Sequence, residues 1–566
     1  MPTNNETIPP SPADEGVNAP GSPGADSPGA APAELDHHPQ LARAVGRGMT
    51  WMIGVTIFNK LLTSVAQVVL GWKLEEEDFS KFAIALAAAG FVSICREAGM
   101  RELLARKGVA EYERLAGPAF WLAFWYNVAA MIATAAAGYG LGQYLGSDVI
   151  TWMMLVFASS MPVGTVAAIL QTKMRVTMDF RGLGIRTLTA YVARQGSAII
   201  FALLGMGAMS QAWPVLLGYV VESVTAYAAT KDKVWERPAK RETWPGLLRE
   251  SRWAMFGSVA FFTLDWGPFA VLRPLAKVSD TVNGTFYFAF SITAQVGVLL
   301  SHTVTVVLTP ALARMNENPE RQGKAALRGL RALMLLGAIL SLGLAACIQP
   351  LEDLLWHGKW AAAVPAVMAL GVFFPWRVTW GLTSALLMAR GRFKAYALSS
   401  AFEGAGLIIA CVIGALVEES AFAIALAAGI WLMVSRVYVT AWTFRPLGVS
   451  LGRVLAATVP PWGAAIASAA AGWLVATRVL EVNAALAPRL HSIAAVRALG
   501  EHGPRSVADL VEVAVAGGIC TVVFAAIVRT MLAGALQDTI DVAPARLRPL
   551  ARRLLALPER SDDAIL

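Results

Sequence analysis

Apolar residues recur along this chain in runs of about 20, each long enough as a helix to cross about 30 Å of hydrocarbon, and short charged clusters separate the runs. Boundaries placed at those clusters predict fourteen helices, near 50–72, 79–97, 116–140, 149–171, 186–206, 211–229, 253–275, 284–309, 329–348, 363–389, 395–416, 420–442, 454–476 and 508–530. The connections alternate in charge. Those after odd-numbered helices are poor in basic residues, as in KLEEED at 73–78, LGSD at 145–148 and EES at 418–420. Those after even-numbered helices carry Arg101, Arg106 and Lys107, then Lys173, Arg175 and Arg181, and later Arg390, Arg392 and Lys394. By the positive-inside rule the basic connections and both termini are expected to be cytoplasmic. The long external connection 478–506, with Arg478, Arg489, Arg497 and Arg505, is the exception, and it has room for a short helix lying on the membrane surface.

Composition agrees with the pattern. The 566 residues are 56% hydrophobic and 15% charged, with a mean hydropathy of +0.55, against about 25% charged residues in soluble domains. The formal charge of +8 lies between the apolar runs, where it sets topology, and makes no nucleic-acid footprint. Cys95, Cys347, Cys411 and Cys520 lie in or beside apolar stretches without CxxC spacing and read as small buried residues, neither disulfides nor metal ligands. The first 40 residues are rich in Pro, Gly, Ala and Ser and lack an apolar signal core, which predicts a disordered cytoplasmic tail. His37 and His38 within it are not read as a metal site. After Arg529, ARLRPLARRLLALPERS separates leucines from arginines at helical spacing, as in a basic helix lying on the inner leaflet.

The chain repeats internally. DFSKFAIALAAAGF from Asp78 and NGTFYFAFSITAQV from Asn283 superpose at an offset of about 204, setting Phe82 against Phe286. MPVG at 161–164 matches FPWR at 374–377, and Phe180 matches Phe393, at an offset of about 213. The expected fold is therefore an all-α polytopic membrane protein of about fourteen transmembrane helices, with two pseudo-symmetric six-helix lobes and two C-terminal helices. The expected organisation is a tail at 1–45, a first lobe at 46–230, a cytoplasmic linker at 231–252, a second lobe at 253–445, the last two helices within 446–531 and an amphipathic tail at 532–566.

Three segments resemble Wzx-type oligosaccharide flippases of the multidrug/oligosaccharidyl-lipid/polysaccharide exporter superfamily. They are LGWKLEEEDFSKFAIALAAAGFVSICREAGMRELLARKG, ILQTKMRVTMDFRGLGIRTLTAYVARQGSAIIFALLGMG, and HGKWAAAVPAVMALG followed by LLMARGRFKAYA. The resemblance spans roughly residues 45–450. It implies two lobes facing each other in a V, a central cavity lined by helices 1 and 7, and alternating access. It also implies a polyprenyl-diphosphate-linked oligosaccharide as cargo, moved across the bacterial inner membrane for surface polysaccharide synthesis.

Candidate site residues follow from polar groups at mid-membrane depth. Thr56, Asn59, Lys60, Thr63 and Gln67 share one face of helix 1, and a face that polar cannot meet lipid. Asp265, one repeat away from Lys60, is expected either to hold a proton or sodium ion beside the carbonyl freed by Pro268 or to pair with Lys60. Lys60 and Arg377 would suit a diphosphate, Arg377 bidentately. Arg194 and Glu403, on pseudo-equivalent helices, are expected to bind sugar or to pair with each other, with Glu403 a second candidate for coupling or gating. Trp376, beside Arg377, could stack on sugar, as could Trp266 and Trp380. Trp51, Trp121, Trp125, Trp152, Trp356, Trp360 and Trp442 read as an interfacial belt, and Arg436 with Arg96, Glu97 and His302 as interface anchors. Pro162, Pro268 and Pro375 are expected kinks. No Walker A loop, HExxH or GxSxG is present and no polar loop is long enough for an enzyme domain, so the expectation is a non-enzyme without cofactor. The alternatives are an ion-coupled multidrug extruder and a membrane scaffold docked by its tails to polysaccharide-synthesis proteins.

Overall fold

The computed structural model describes residues 39–93, 100–313, 315–490 and 503–531. The expectations for His37, His38, Cys95, Arg96 and Glu97, for a surface helix within 491–502 and for the basic helix after 531 lie outside the described residues, as does the side chain of His302. Among the described residues the chain is helical, without a β-strand.

Fifteen α-helices follow one another among the described residues: α1 (Pro39–Lys73), α2 (Glu76–Ser93), α3 (Met100–Leu145), α4 (Asp148–Val176), α5 (Phe180–Leu203), α6 (Met209–Thr230), α7 (Trp244–Val271), α8 (Asp280–Ala313), α9 (Pro319–Trp356), α10 (Val364–Val378), α11 (Trp380–Ala389), α12 (Phe393–Val417), α13 (Ala421–Phe444), α14 (Leu451–Leu490) and α15 (Gly503–Met531). Nine of these spans, with α10 and α11 taken as one, are long and apolar enough to cross a membrane by length and composition alone. The remaining helices are α2, which is short and begins with three acids, α5, which carries Arg181, Arg186 and Arg194, and α6, α7 and α8.

Three differences from the sequence reading have a common cause: a charged cluster ends an apolar run without ending a helix. Helix α1 is already present at Pro39, inside the stretch expected to be disordered, and runs through Arg43 and Arg47 into the apolar run. Helix α3 begins at Met100, well before the apolar run at 116, and its charged extension carries an Arg114–Glu111 pair at 2.9 Å. Helix α14 continues to Leu490, into the expected external loop. The reverse happens at 363–389, where one helix was expected and two are found. Pro375 has no N–H for the carbonyl of Gly371, and four residues later the Thr379 hydroxyl bonds the carbonyl of Trp376 at 2.7 Å as α10 gives way to α11. Helices α4 and α7 run unbroken through Pro162 and Pro268.

The two halves repeat their packing. Helix α5 lies between α1 and α6, and α12 lies between α7 and α13 in the same relation. Helix α2 is central, with Ala83, Ala85, Ala87 and Ala89 all buried, and the small side chains let it approach α4, α7 and α8 closely. Helices α14 and α15 pack on α9, where Leu335, Ala338 and Leu342 meet Ala465 and Cys520. Cys347, Cys411 and Cys520 are buried free thiols.

The halves are latched at the end that carries the acidic α1–α2 connection. Trp356 and Trp360 donate their indole N–H groups to the carbonyls of Val68 and Gly71 at 3.2 and 3.0 Å, and Trp72 donates back to the carbonyl of Leu355. Lys359 Nζ reaches the Trp72 carbonyl at 3.3 Å and Glu75 at 3.1 Å. Phe79 and Phe288 complete the seal, the latter stacked on Trp360 with centroids 3.8 Å apart. Ser80 bridges the halves by donating to Asp280 and accepting from Asn283, both at 2.9 Å. Trp356 and Trp360 are thus buried at 7% and 1% exposure and do not belong to an interfacial belt, whereas Trp51, Trp125, Trp152 and Trp442 are exposed.

Candidate functional site: a cationic cavity between the halves

Below the latch lies a cavity of about 290 Å³ walled by α1, α2, α5 and α6 from one half and α7, α8 and α10 from the other. Lys60, Thr63 and Gln67 enter it from α1, Arg194 from α5, Asp265 from α7 and Arg377 from α10. These residues come together from widely separated positions because the repeat sets α1 against α8 and α7 against α2.

Lys60 does not touch Asp265. Its ammonium donates to Gln295 Oε1 on α8 at 2.9 Å, and about two turns along α1 toward the latch Gln67 Nε2 donates to Ser291 Oγ at 3.3 Å. Helix α1 is therefore stitched to α8 across the two halves by neutral partners. Asp265 instead pairs with Arg377, whose guanidinium also lies over Phe290 and Phe374 at 5.4 and 5.5 Å from the ring centroids. The Arg377 Nη1 atom is buried without a hydrogen-bond partner. Gln195 Nε2 donates to Thr63 Oγ1 at 3.4 Å, and Arg194 makes no ion pair among the described residues. The wall thus carries three cations and one carboxylate, and that carboxylate is occupied.

Several expected residues lie elsewhere. Asn59 is buried at 6% exposure and is not in the cavity wall, because Lys60 rather than Asn59 takes the direction of α8. Trp376 is buried with its ring 5.8 Å from that of Trp462 on α14, so it packs away from the cavity. Glu403 pairs with Arg436 inside α12 and α13, at 1% and 2% exposure, and Arg436 also donates to Thr383 at 3.3 Å. Glu403 therefore neither faces the cavity nor pairs with Arg194, and Arg436 is no interface anchor. Pseudo-equivalent helices occupy different halves, which keeps Arg194 and Glu403 apart.

The sequence reading missed Gln195, Gln211, Tyr287, Phe290, Ser291 and Gln295. The signal was available in SITAQV, where Ser291 and Gln295 stand one turn apart as a polar face on α8 like that on α1. Of the three deep tryptophans only Trp266 lines the cavity, stacked toward Phe262 and 6.1 Å from Tyr287 between centroids.

A family model described as "Polysaccharide biosynthesis protein" matches residues 69–365. Among solved structures, the lipid II flippase MurJ in an inward closed conformation superposes with a TM-score of 0.64 at 13% identity, covering 85% of this chain and 99% of that one. An inward-facing multidrug resistance MATE family transporter of the MOP superfamily gives 0.53 at 17% identity, covering 69% and 94%. At these identities the likeness is one of fold. No curated protein matches the chain.

Proposed function

Since the chain belongs to the polysaccharide biosynthesis protein family, we propose that it is a flippase that carries polyprenyl-diphosphate-linked oligosaccharide units across the bacterial inner membrane by alternating access of its two halves. The observation that carries the reading is the charge of the cavity. Lys60 and Arg194 point into a space shared by both halves with no carboxylate of their own, while Arg377 is paired with Asp265 and keeps one donor free. Cations held at mid-membrane depth without counter-charges favour an anionic headgroup. With the basic connections cytoplasmic, the latched end faces outward, so the cavity receives its cargo from the cytoplasmic leaflet. Lys60, Arg194 and Arg377 bind the diphosphate, and Asp265 tunes the cycle by competing with it for Arg377. A proton or sodium ion remains the proposed coupling ion, acting at Asp265; Glu403, enclosed with Arg436, contributes structure.

An extruder of organic cations fits the same fold less well, because it needs a carboxylate free to receive its substrate and Asp265 is occupied. The reading is tested in proteoliposomes holding a fluorescent polyprenyl-diphosphate-linked sugar in one leaflet. Protein-dependent loss of that asymmetry, abolished in Lys60→Ala with Arg194→Ala, supports it. Gradient-driven uptake of an organic cation with no lipid movement would reverse it.

A further inference from the structure

At its latched end the cavity changes character. The cations lie toward the membrane centre, Lys60 being thirteen residues, about 20 Å of helix, from the end of α1 at Lys73. Gln211, by contrast, stands in the first turn of α6, and Gln67 in the last two turns of α1. Between them Phe82, Tyr287 and Trp266 form a continuous aromatic wall, with successive centroids 6.0 and 6.1 Å apart. The side-chain N–H2 of Gln211 is buried and has no hydrogen-bond partner. A buried donor left unmatched destabilises a protein, so such a group in a cavity wall calls for an acceptor from whatever occupies the cavity.

Charge restricts what that acceptor is. A diphosphate esterified at both ends carries two negative charges. The cavity has two cations free of carboxylates, Lys60 and Arg194, while Arg377 is neutralised by Asp265. Once the diphosphate is held, no cation remains for an acidic sugar, and the latched end offers only amides and aromatic faces. Hydroxyl and acetamido oxygens would satisfy the Gln211 donor, and the apolar face of a pyranose would lie on Trp266 and Tyr287.

Building on the flippase reading, we propose that Gln211 is a specificity-determining contact for an uncharged sugar, the unit attached directly to the diphosphate, lodged between the aromatic wall and the latch.

The test uses the full-length protein in nanodiscs and three synthetic probes of one polyprenyl chain: the diphosphate methyl ester, the same diphosphate bearing N-acetylglucosamine, and the same bearing glucuronic acid. The wild type is expected to bind the N-acetylglucosamine probe about tenfold tighter than the methyl ester, the scale of one well-placed hydrogen bond, and to gain nothing from glucuronic acid. Gln211→Leu should remove the gain and leave methyl-ester affinity unchanged. Its ligand-free Tm should be unchanged or raised, because an unmatched donor is gone. Gln211→Glu, nearly identical in shape, should also lose the gain and should bind the glucuronic acid probe less well than the wild type does. Equal binding of the neutral and acidic sugars, or a Gln211→Leu protein with lowered Tm and equally weakened binding of all probes, would overturn the assignment. Methyl-ester binding that depends on Lys60 but ignores the sugar overturns the sugar site alone. Absence of binding by every probe overturns the flippase reading with it.

Discussion

Asp265 on α7 is paired with Arg377 on α10, within one half of the protein, and Lys60 across the cavity is bonded to a neutral amide. The carboxylate therefore holds the cation nearest to it and leaves the cations of the other half free. Asp265→Asn removes the competitor for Arg377. Affinity for a polyprenyl diphosphate should rise severalfold, since a partly exposed ion pair is worth about 1 kcal/mol, and turnover should fall as release slows. Binding titrations and flipping rates on one preparation check this. A weakened affinity would mean that Asp265 itself contacts the cargo.

Lys60→Ala and Arg194→Ala should each lower affinity for the lipid-linked diphosphate by about tenfold to a hundredfold, the range for charge-assisted hydrogen bonds. Neither side chain makes an ion pair among the described residues, so protein level and Tm should stay near wild type. Surface polysaccharide made at full level by both variants would remove these residues from the site.

Glu403 and Arg436 are enclosed in the second half, and their role is expected to be structural. Glu403→Ala should destabilise by about 3–5 kcal/mol, because an unpaired guanidinium is left buried, whereas Glu403→Leu combined with Arg436→Met should recover most of the loss. Thermal unfolding in detergent distinguishes the two. A stable Glu403→Ala protein that binds lipid but does not flip it would make Glu403 a coupling residue after all.

Gly71 sets the latch. A methyl group on it would lie 2.2 Å from Trp356 Nε1, so Gly71→Ala should pry the indole from α1 and open the latched end. A single cysteine at Leu70, which lines the cavity, should then react with a membrane-impermeant thiol reagent added from outside several times faster than in the Gly71 protein. Unchanged labelling would show that the seal rests on the Ser80, Asp280 and Asn283 contacts instead.

At the opposite end, Asp232 joins the linker to the first half by accepting from Lys173 at 2.7 Å and from Arg237 at 2.8 Å, while Arg237 also reaches Glu113 at 2.8 Å. Asp232→Ala should lower stability by about 2 kcal/mol, less than for a fully enclosed pair because both basic partners are about a quarter exposed. Proteolysis between 231 and 243 should speed up in parallel. Identical cleavage rates in the two proteins would mean that the linker is held by Trp121 and Trp244 instead, whose indoles donate to the carbonyls of Arg237 and Ala239.

Depth was easier to read in the sequence than direction. The apolar runs located the membrane-crossing stretches, though not the charged extensions of α3 and α14 or the break between α10 and α11, and the repeat placed Lys60 and Asp265 in one cavity, because both follow from period and length alone. Partners were less accessible. Helical spacing put Asn59 and Lys60 on one broad face, yet a rotation of 100° per residue separates neighbours, and only Lys60 reaches the cavity. Pseudo-symmetry suggested Lys60 with Asp265 and Arg194 with Glu403, but equivalent positions lie in opposite halves, and each carboxylate found the arginine nearest it in its own half. Gln195 and Gln211 drew less notice, since a lone neutral amide in an apolar run stands out less than a charge, whereas Gln67 and Gln295 belong to polar faces that helical spacing reveals.

The tryptophan latch has a further consequence for leakage. Gly71 lies in the last turn of α1, where backbone carbonyls have run out of helical donors, and the donor that reaches it is the indole of Trp360 in the other half. The end of a cavity-lining helix is thus finished by a part borrowed from across the pathway, and separating the halves leaves that carbonyl bare at the membrane surface. Spontaneous gaping at the latched end is discouraged each time the cavity stands empty. A membrane that stores energy as an ion gradient can then hold many copies of this protein without being short-circuited by them.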